Sequence, residues 1–176
     1  LVGFSLGGQI AKHFASMYPN RIKGLVLIST TYQRTTVERH NMASRVRQAK
    51  HGDQLSLETA ALQRWFNPDF LAANPDVATY IIGRLRNNDP DRFIESYELL
   101  SQAEDHSVDY SALSMPALIL TGDGDEGSTP LMAKKMAQAM LNARAEIIQG
   151  SKHIGIIELH KQFSDALISF MSESVI

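Results

Sequence analysis

Three short segments of this 176-residue chain carry side chains that together could open an acyl bond. Gly3-Phe4-Ser5-Leu6-Gly7 fits G-x-S-x-G, a pattern that sets a serine hydroxyl on a tight turn between a strand and a helix. Asp123-Gly124-Asp125-Glu126-Gly127-Ser128 follows one apolar run, and Gly150-Ser151-Lys152-His153-Ile154-Gly155 follows another. A serine hydroxyl is a weak nucleophile at neutral pH and needs a base. His153 could take its proton and later return it to the leaving group. A carboxylate, Asp123 or Asp125, could hold the imidazole in the right tautomer and stabilise its charged form. The chain has no cysteine, hence no disulfide and no thiolate nucleophile. Of the other five histidines, His13 and His160 fall in helical patterns, and His40, His51 and His106 lie in the middle of the chain.

The elements that must position these groups can be read from periodicity. Leu1-Val2 reads as the end of a buried strand. Ile10, Phe14 and Met17, at i, i+4 and i+7, predict a helix over 7–18 directly after the serine. Gly3 and Gly7 are expected to be glycine because side chains there would clash where strand and helix meet. The helix N-terminus would aim free N–H groups and positive dipole at an oxyanion formed at Ser5. Gly24–Ser29, Ala117–Gly122 and Ala145–Gln149 read as strands, the first two as fully buried parallel ones. Between the second and third strands, about 85 residues carry only helical signals. Arg34–His51 is basic and weakly periodic, a solvated helix. Ser56, Asn74 and Asp89 are candidate helix caps, the latter two followed by Pro75 and Pro90. Pro130 opens a helix with Met132, Met136 and Met140 as a packing stripe, and Phe163, Leu167, Phe170 and Met171 mark the last helix. The fold class expected is therefore α/β: a mostly parallel sheet of about four strands with a helical insertion. Ligands of such sheets sit at the carboxyl ends of the strands, where all three segments fall.

Composition narrows the function classes. Apolar residues make up 44% of the chain, an ordinary globular content, and the net charge of −2 gives no reason to expect nucleic acid or an anionic membrane as partner. No run is long enough to cross a bilayer. Leu1 is not an initiator Met, so the expectation is the C-terminal part of a longer protein. A leader upstream cannot be judged, and the lack of cysteine points to a cytoplasmic setting.

The order serine, acid, histidine and the motifs Gly3–Gly8, Gly122-Asp123-Gly124-Asp125 with Pro130 following, and His153 with Glu158 following resemble the C-terminal part of α/β-hydrolase fold proteins. The resemblance spans nearly all of the chain. It implies one incomplete domain over 1–176, with a core of 1–30 and 115–176 and a helical cap over 31–114. It places the catalytic carboxylate at Asp125, with Asp123 the alternative. The turn after the second strand, where some relatives put the acid, holds Ser29, Thr30 and Thr31 instead. The Leu6 N–H would be one oxyanion donor. The second would come from a loop outside these residues, and losing one such donor can cost roughly 10²–10³ in turnover. Arg64-Trp65-Phe66-Asn67-Pro68-Asp69-Phe70 resembles the cap of 3-oxoadipate enol-lactonases. On that likeness Arg64 and Trp65 would hold an anionic, planar substrate; the same residues are also a plain packing stripe. The function implied is hydrolysis of a carboxylic ester or lactone through Ser5, His153 and Asp125, with no metal or organic cofactor. Carbon–carbon bond or thioester hydrolysis, perhydrolysis, and a non-catalytic binding protein on the same fold stay open. Dehalogenase and epoxide hydrolase chemistry would need a carboxylate where Ser5 stands. The first strand would present an open edge, from which self-association is expected.

Overall fold

The computed structural model describes residues 1–51, 54–103 and 108–174. The chain divides into two compact units, Leu1–Gln33 with Glu104–Ile176, and Arg34–Ala103. The first unit opens with β1 (Val2–Phe4), α1 (Leu6–Met17) and β2 (Leu25–Ile28). The second unit carries α2 (Thr36–His51), α3 (Gln54–Trp65), α4 (Pro68–Ala73), α5 (Pro75–Arg86) and α6 (Pro90–Gln102). The first unit then resumes with β3 (Ala117–Gly122), α7 (Pro130–Gln138), β4 (Ala143–Ile148), α8 (Gly155–Glu158) and α9 (His160–Ser174).

The four strands form one parallel sheet in the order β1-β2-β3-β4, with Gly3 level with Leu27 and Leu27 level with Ile119. Every residue of β2 and β3 is buried. Alternation splits their side chains between two cores. Leu25, Leu27, Ala117 and Ile119 pack with Ala11, Ala15, Met132, Met136 and Met140 on one face. Val26, Ile28, Leu118 and Leu120 pack with Phe163, Ala166 and Phe170 on the other. A sheet covered on both faces accounts for the unbroken apolar runs of its central strands. Met132 and Met136 of α7 and Met140 just beyond its end are buried, as their spacing predicts.

Helix α1 is present, but not on the face its hydropathy suggests. Ile10 and Met17 are 62% and 67% exposed, and Phe14 is exposed too. The buried side is Gly8, Gln9, Ala11, Lys12 and Ala15. Helix and sheet approach closely where Gly3 faces Ala11: a Cβ on Gly3 would lie 2.8 Å from the Ala11 Cβ. The one cation on that face, Lys12, is fully buried with its ammonium 5.6 Å from the centre of the Tyr110 ring, a favourable cation–π distance.

The two edges of the sheet differ. On β4, Arg144 pairs with Glu146 at 2.9 Å and with Glu173 of α9 at 2.7 Å, charges of the kind that blunt an edge. On β1, Leu1 and Val2 are exposed.

The residues leading into β3 belong with the sheet: Val108, Tyr110, Leu113 and Met115 are buried in its first core, and Tyr110 meets Tyr32 edge-on at 4.9 Å. The compact helical unit spans Arg34–Ala103, beside the 31–114 expected for the cap. Within the helical unit, α2 is capped reciprocally. The Glu38 N–H donates to the Thr35 hydroxyl, while the Glu38 carboxylate accepts from the Thr35 N–H at 2.6 Å, a capping box. Asp89 caps α6 by accepting from the Arg92 N–H at 3.0 Å. Ser56 is not a cap: it lies inside α3, which is already under way at Gln54. Asn74 stands at the N-cap position of α5, before Pro75, but its side chain makes no cap bond there and donates backwards to the Phe70 carbonyl at 2.9 Å. Arg86 of α5 holds the buried Glu58 of α3 in a two-pronged pair, both bonds 2.8 Å, and Lys50 of α2 pairs with Glu98 of α6. Among the described residues no helix is long and apolar enough to cross a membrane.

Candidate active site

Ser5 sits between β1 and α1 with φ 51° and ψ −116°, a conformation residues with a Cβ rarely adopt. The backbone is held on both sides: its N–H donates to the Ile28 carbonyl at 2.9 Å, and its carbonyl accepts from Gly8 at 3.0 Å and Gln9 at 3.3 Å. The glycines around it divide the work differently from expectation. A Cβ on Gly3 would stand 2.4 Å from the Gly7 carbonyl oxygen and 2.7 Å from the Gly8 Cα. A Cβ on Gly8 would lie 1.8 Å from the Thr30 hydroxyl, whereas one on Gly7 would meet nothing within 4 Å. The helix-side steric demand thus falls on Gly8, because the first turn of α1 presents position 8, not position 7, to the end of β2. Leu6 is the first residue of α1, where an N–H has no acceptor within the helix.

The other two segments come to the same end of the sheet. The His153 Nε2 lies 3.1 Å from the Ser5 Oγ, and its Nδ1 lies 2.8 Å from the Asp125 Oδ2. With the Nδ1 proton donated to Asp125, Nε2 is left as acceptor for the Ser5 hydroxyl. The Phe4 ring lies beside the imidazole, centroids 5.3 Å apart. Asp125 is 2% exposed, and its Oδ1 accepts from the N–H groups of Gly127 and Ser128, each at 2.9 Å. Burial alone would push this carboxyl up. The hydrogen bond and charge of His153, with the two backbone N–H groups, outweigh it and hold the pKa below the usual carboxylate value, so the group is ionised at neutral pH.

Asp123 plays another part. It is exposed and accepts from the Ser151 N–H at 3.2 Å, clipping the histidine loop to the acid loop. A Cβ on Gly155 would lie 1.8 Å from the Ser151 hydroxyl and 2.7 Å from the Phe163 ring, so a side chain there would have to displace both. His13 lies in α1, His40 and His51 in α2, and His160 opens α9; His106 lies outside the described residues. Arg64 and Trp65 form the last turn of α3, each half-buried. Among the described residues no three His, Cys, Asp or Glu side chains converge to hold a metal.

Sequence reasoning missed three hydroxyl residues behind the triad. Thr121 donates to the Ser128 carbonyl at 2.6 Å, Ser128 donates to the Ser29 carbonyl at 2.8 Å, and Ser29 donates to the His153 carbonyl at 3.1 Å. Short hydroxyl side chains leave no trace in hydropathy. The available signal was positional: Thr121 and Ser29 stand at or just beyond the carboxyl end of a buried strand, and Ser128 ends the acid loop just before the cap of α7.

A family profile described as "alpha/beta hydrolase fold" matches residues 1–158. The (E)-2-((N-methylformamido)methylene)succinate hydrolase of Acinetobacter baylyi is 26% identical over 174 residues, covering 97% of this chain and 64% of that protein. The proline iminopeptidase of Lactobacillus delbrueckii subsp. lactis is 24% identical over 200 residues, with 97% and 64% covered. The crystal structure of the enol-lactonase from Burkholderia xenovorans LB400 superposes with a TM-score of 0.87 at 25% identity, over 98% of this chain and 65% of that one. The chain thus spans just under two thirds of the length of these relatives.

Proposed function

This chain belongs to the α/β-hydrolase fold family, and from that premise we propose that it carries the nucleophile, base and acid of a serine hydrolase acting on carboxylic esters or lactones. The observation that supports this most is the continuous path from the Ser5 hydroxyl through His153 to the buried Asp125, at 3.1 and 2.8 Å. In the reaction proposed, His153 takes the Ser5 proton as Oγ attacks the acyl carbon. Asp125 stabilises the imidazolium, which then protonates the departing oxygen. Water, activated by the same imidazole, releases the acid from the acyl-enzyme. The Leu6 N–H receives part of the oxyanion charge.

The substrate class follows from the relatives' names and the helical unit together. One relative is named for a succinate, a dianion, and another as an enol-lactonase. By the likeness of the 64–70 segment to an enol-lactonase cap, Arg64 is proposed to bind a substrate carboxylate and Trp65 to give apolar contact. An anionic enol-lactone or ester is therefore the substrate proposed, and these two residues its specificity contacts. For a chain limited to these residues, self-association, or a need for the part that the relatives have beyond them, is proposed at the edge of β1, where Leu1 and Val2 are exposed. A monomer by light scattering at micromolar concentration would refute that part.

A fluorophosphonate probe tests the chemistry. The full-length protein should be labelled at Ser5, and His153→Ala should abolish labelling. An unlabelled wild type would favour a binding protein that keeps the fold without the reaction.

A further inference from the structure

The acid and the base stand on loops after different strands, Asp125 after β3 and His153 after β4. Their hydrogen bond is only as good as the relative placement of those loops. A third strand end fixes it. Ser29, the residue after β2, is 1% exposed, and all three of its polar groups reach across the sheet, its N–H donating to the Leu120 carbonyl at 2.8 Å. Its carbonyl accepts from the Ser128 hydroxyl at 2.8 Å, 99 positions away, and its hydroxyl donates to the His153 carbonyl at 3.1 Å, 124 positions away. Ser128 in turn gives its N–H to the Asp125 carboxylate. The bonds close a ring: Asp125 to Ser128, Ser128 to Ser29, Ser29 to His153, and His153 back to Asp125. Ser29 also holds φ 48°, a backbone conformation that favours glycine and persists in a serine only where surrounding bonds over-determine it.

We propose that Ser29 is a positioning residue: from the end of β2 it fixes the histidine loop against the acid loop and so sets the geometry of the His153–Asp125 bond. As a role in catalysis the proposal rests on the hydrolase reading above. As a statement about that bond it can be tested apart from it. Ser29 touches none of the reacting atoms and acts only through the His153 backbone and Ser128.

In the full-length protein, Ser29→Ala and Ser29→Gly separate the hydroxyl from the strain, since glycine relieves the positive φ while both remove the bond. Two readouts apply: the far-downfield proton resonance of His153 Nδ1, and the rate of fluorophosphonate reaction at Ser5. Both variants should move that resonance upfield and speed its exchange with water. Labelling should slow about tenfold, a loss in the range a sub-ångström misplacement produces, with ester kcat falling while KM holds. Ser128→Ala should act in the same direction, and the double variant should be no worse than Ser29→Ala alone, because both remove one ring. A lowered Tm with an unchanged resonance would mean a purely structural serine and would overturn the proposal. A wild-type resonance in Ser29→Gly would overturn it equally. Should the wild type fail to label, the hydrolase reading falls and the resonance alone decides for or against Ser29.

Discussion

The two units of this chain are held together in different ways. At the sheet, the polar contacts that matter join distant positions: Ser5 with His153 across 148 residues, Ser29 with His153 across 124, Ser29 with Ser128 across 99. In the helical unit many are local, such as Thr35 with Glu38, Phe70 with Asn74 and Arg92 with Glu95, reinforced by ion pairs between helices such as Glu58 with Arg86. A constellation built from non-local bonds cannot shift without disturbing the sheet. A helical unit held locally can exchange side chains one at a time. Under the proposed function, reaction chemistry would be fixed at the strand ends and selectivity adjusted among the helices.

If that division holds, substitutions in the first unit should lower turnover and those in the second should change substrate preference. The largest effect expected is from Asp125→Asn, which leaves the shape but favours the wrong histidine tautomer; kcat should fall about 10⁴-fold with KM little changed. The same group gives a pH signature. Its folded pKa is depressed, so its contribution is complete at neutral pH and is lost as pH falls through the folded value. Wild type should therefore lose stability relative to Asp125→Asn in denaturant melts carried from pH 7 into the acid range, and parallel curves would contradict the assignment. Next comes Gly3→Ala, whose methyl would run into the α1 backbone at Gly7 and Gly8. It should cost about 3 kcal/mol, read as a Tm drop of roughly 6–12 °C. Arg64→Ala should raise KM about tenfold for anionic substrates and leave neutral esters alone; a uniform loss of kcat would break the comparison. The smallest effect is a gain. Gly83, inside α5, has open space where a Cβ would go, so Gly83→Ala should stabilise by about 0.5–1 kcal/mol in the same melts.

The strands, their parallel order and the three segments that meet at their ends were legible because each follows from a short pattern with a mechanical cause. Buried parallel strands need continuous apolar runs, and a serine on a strand-to-helix turn needs small neighbours. What was not legible has equally physical causes. The buried side of α1 is glycine, alanine, glutamine and lysine, so hydropathy pointed to the opposite side, Ile10, Phe14 and Met17. The need for glycine fell at Gly8 instead of Gly7, because motif spacing does not say which way a helix turns its first residues. Ser29 and Ser128 were passed over since hydroxyls near a strand end look like ordinary turn residues until the partner loops are in place.

The separation between Ser5 and His153 also has a consequence in time. A ribosome adding about 5–20 residues per second makes the serine roughly 7–30 s before its base, and a parallel sheet closes late because its pairings are far apart in sequence. Under the proposed chemistry a nascent chain bears the hydroxyl without the means to activate it. Reactivity would then appear abruptly, once β4 and the loop beyond it have docked, and the onset of probe labelling during synthesis would report the last step of folding.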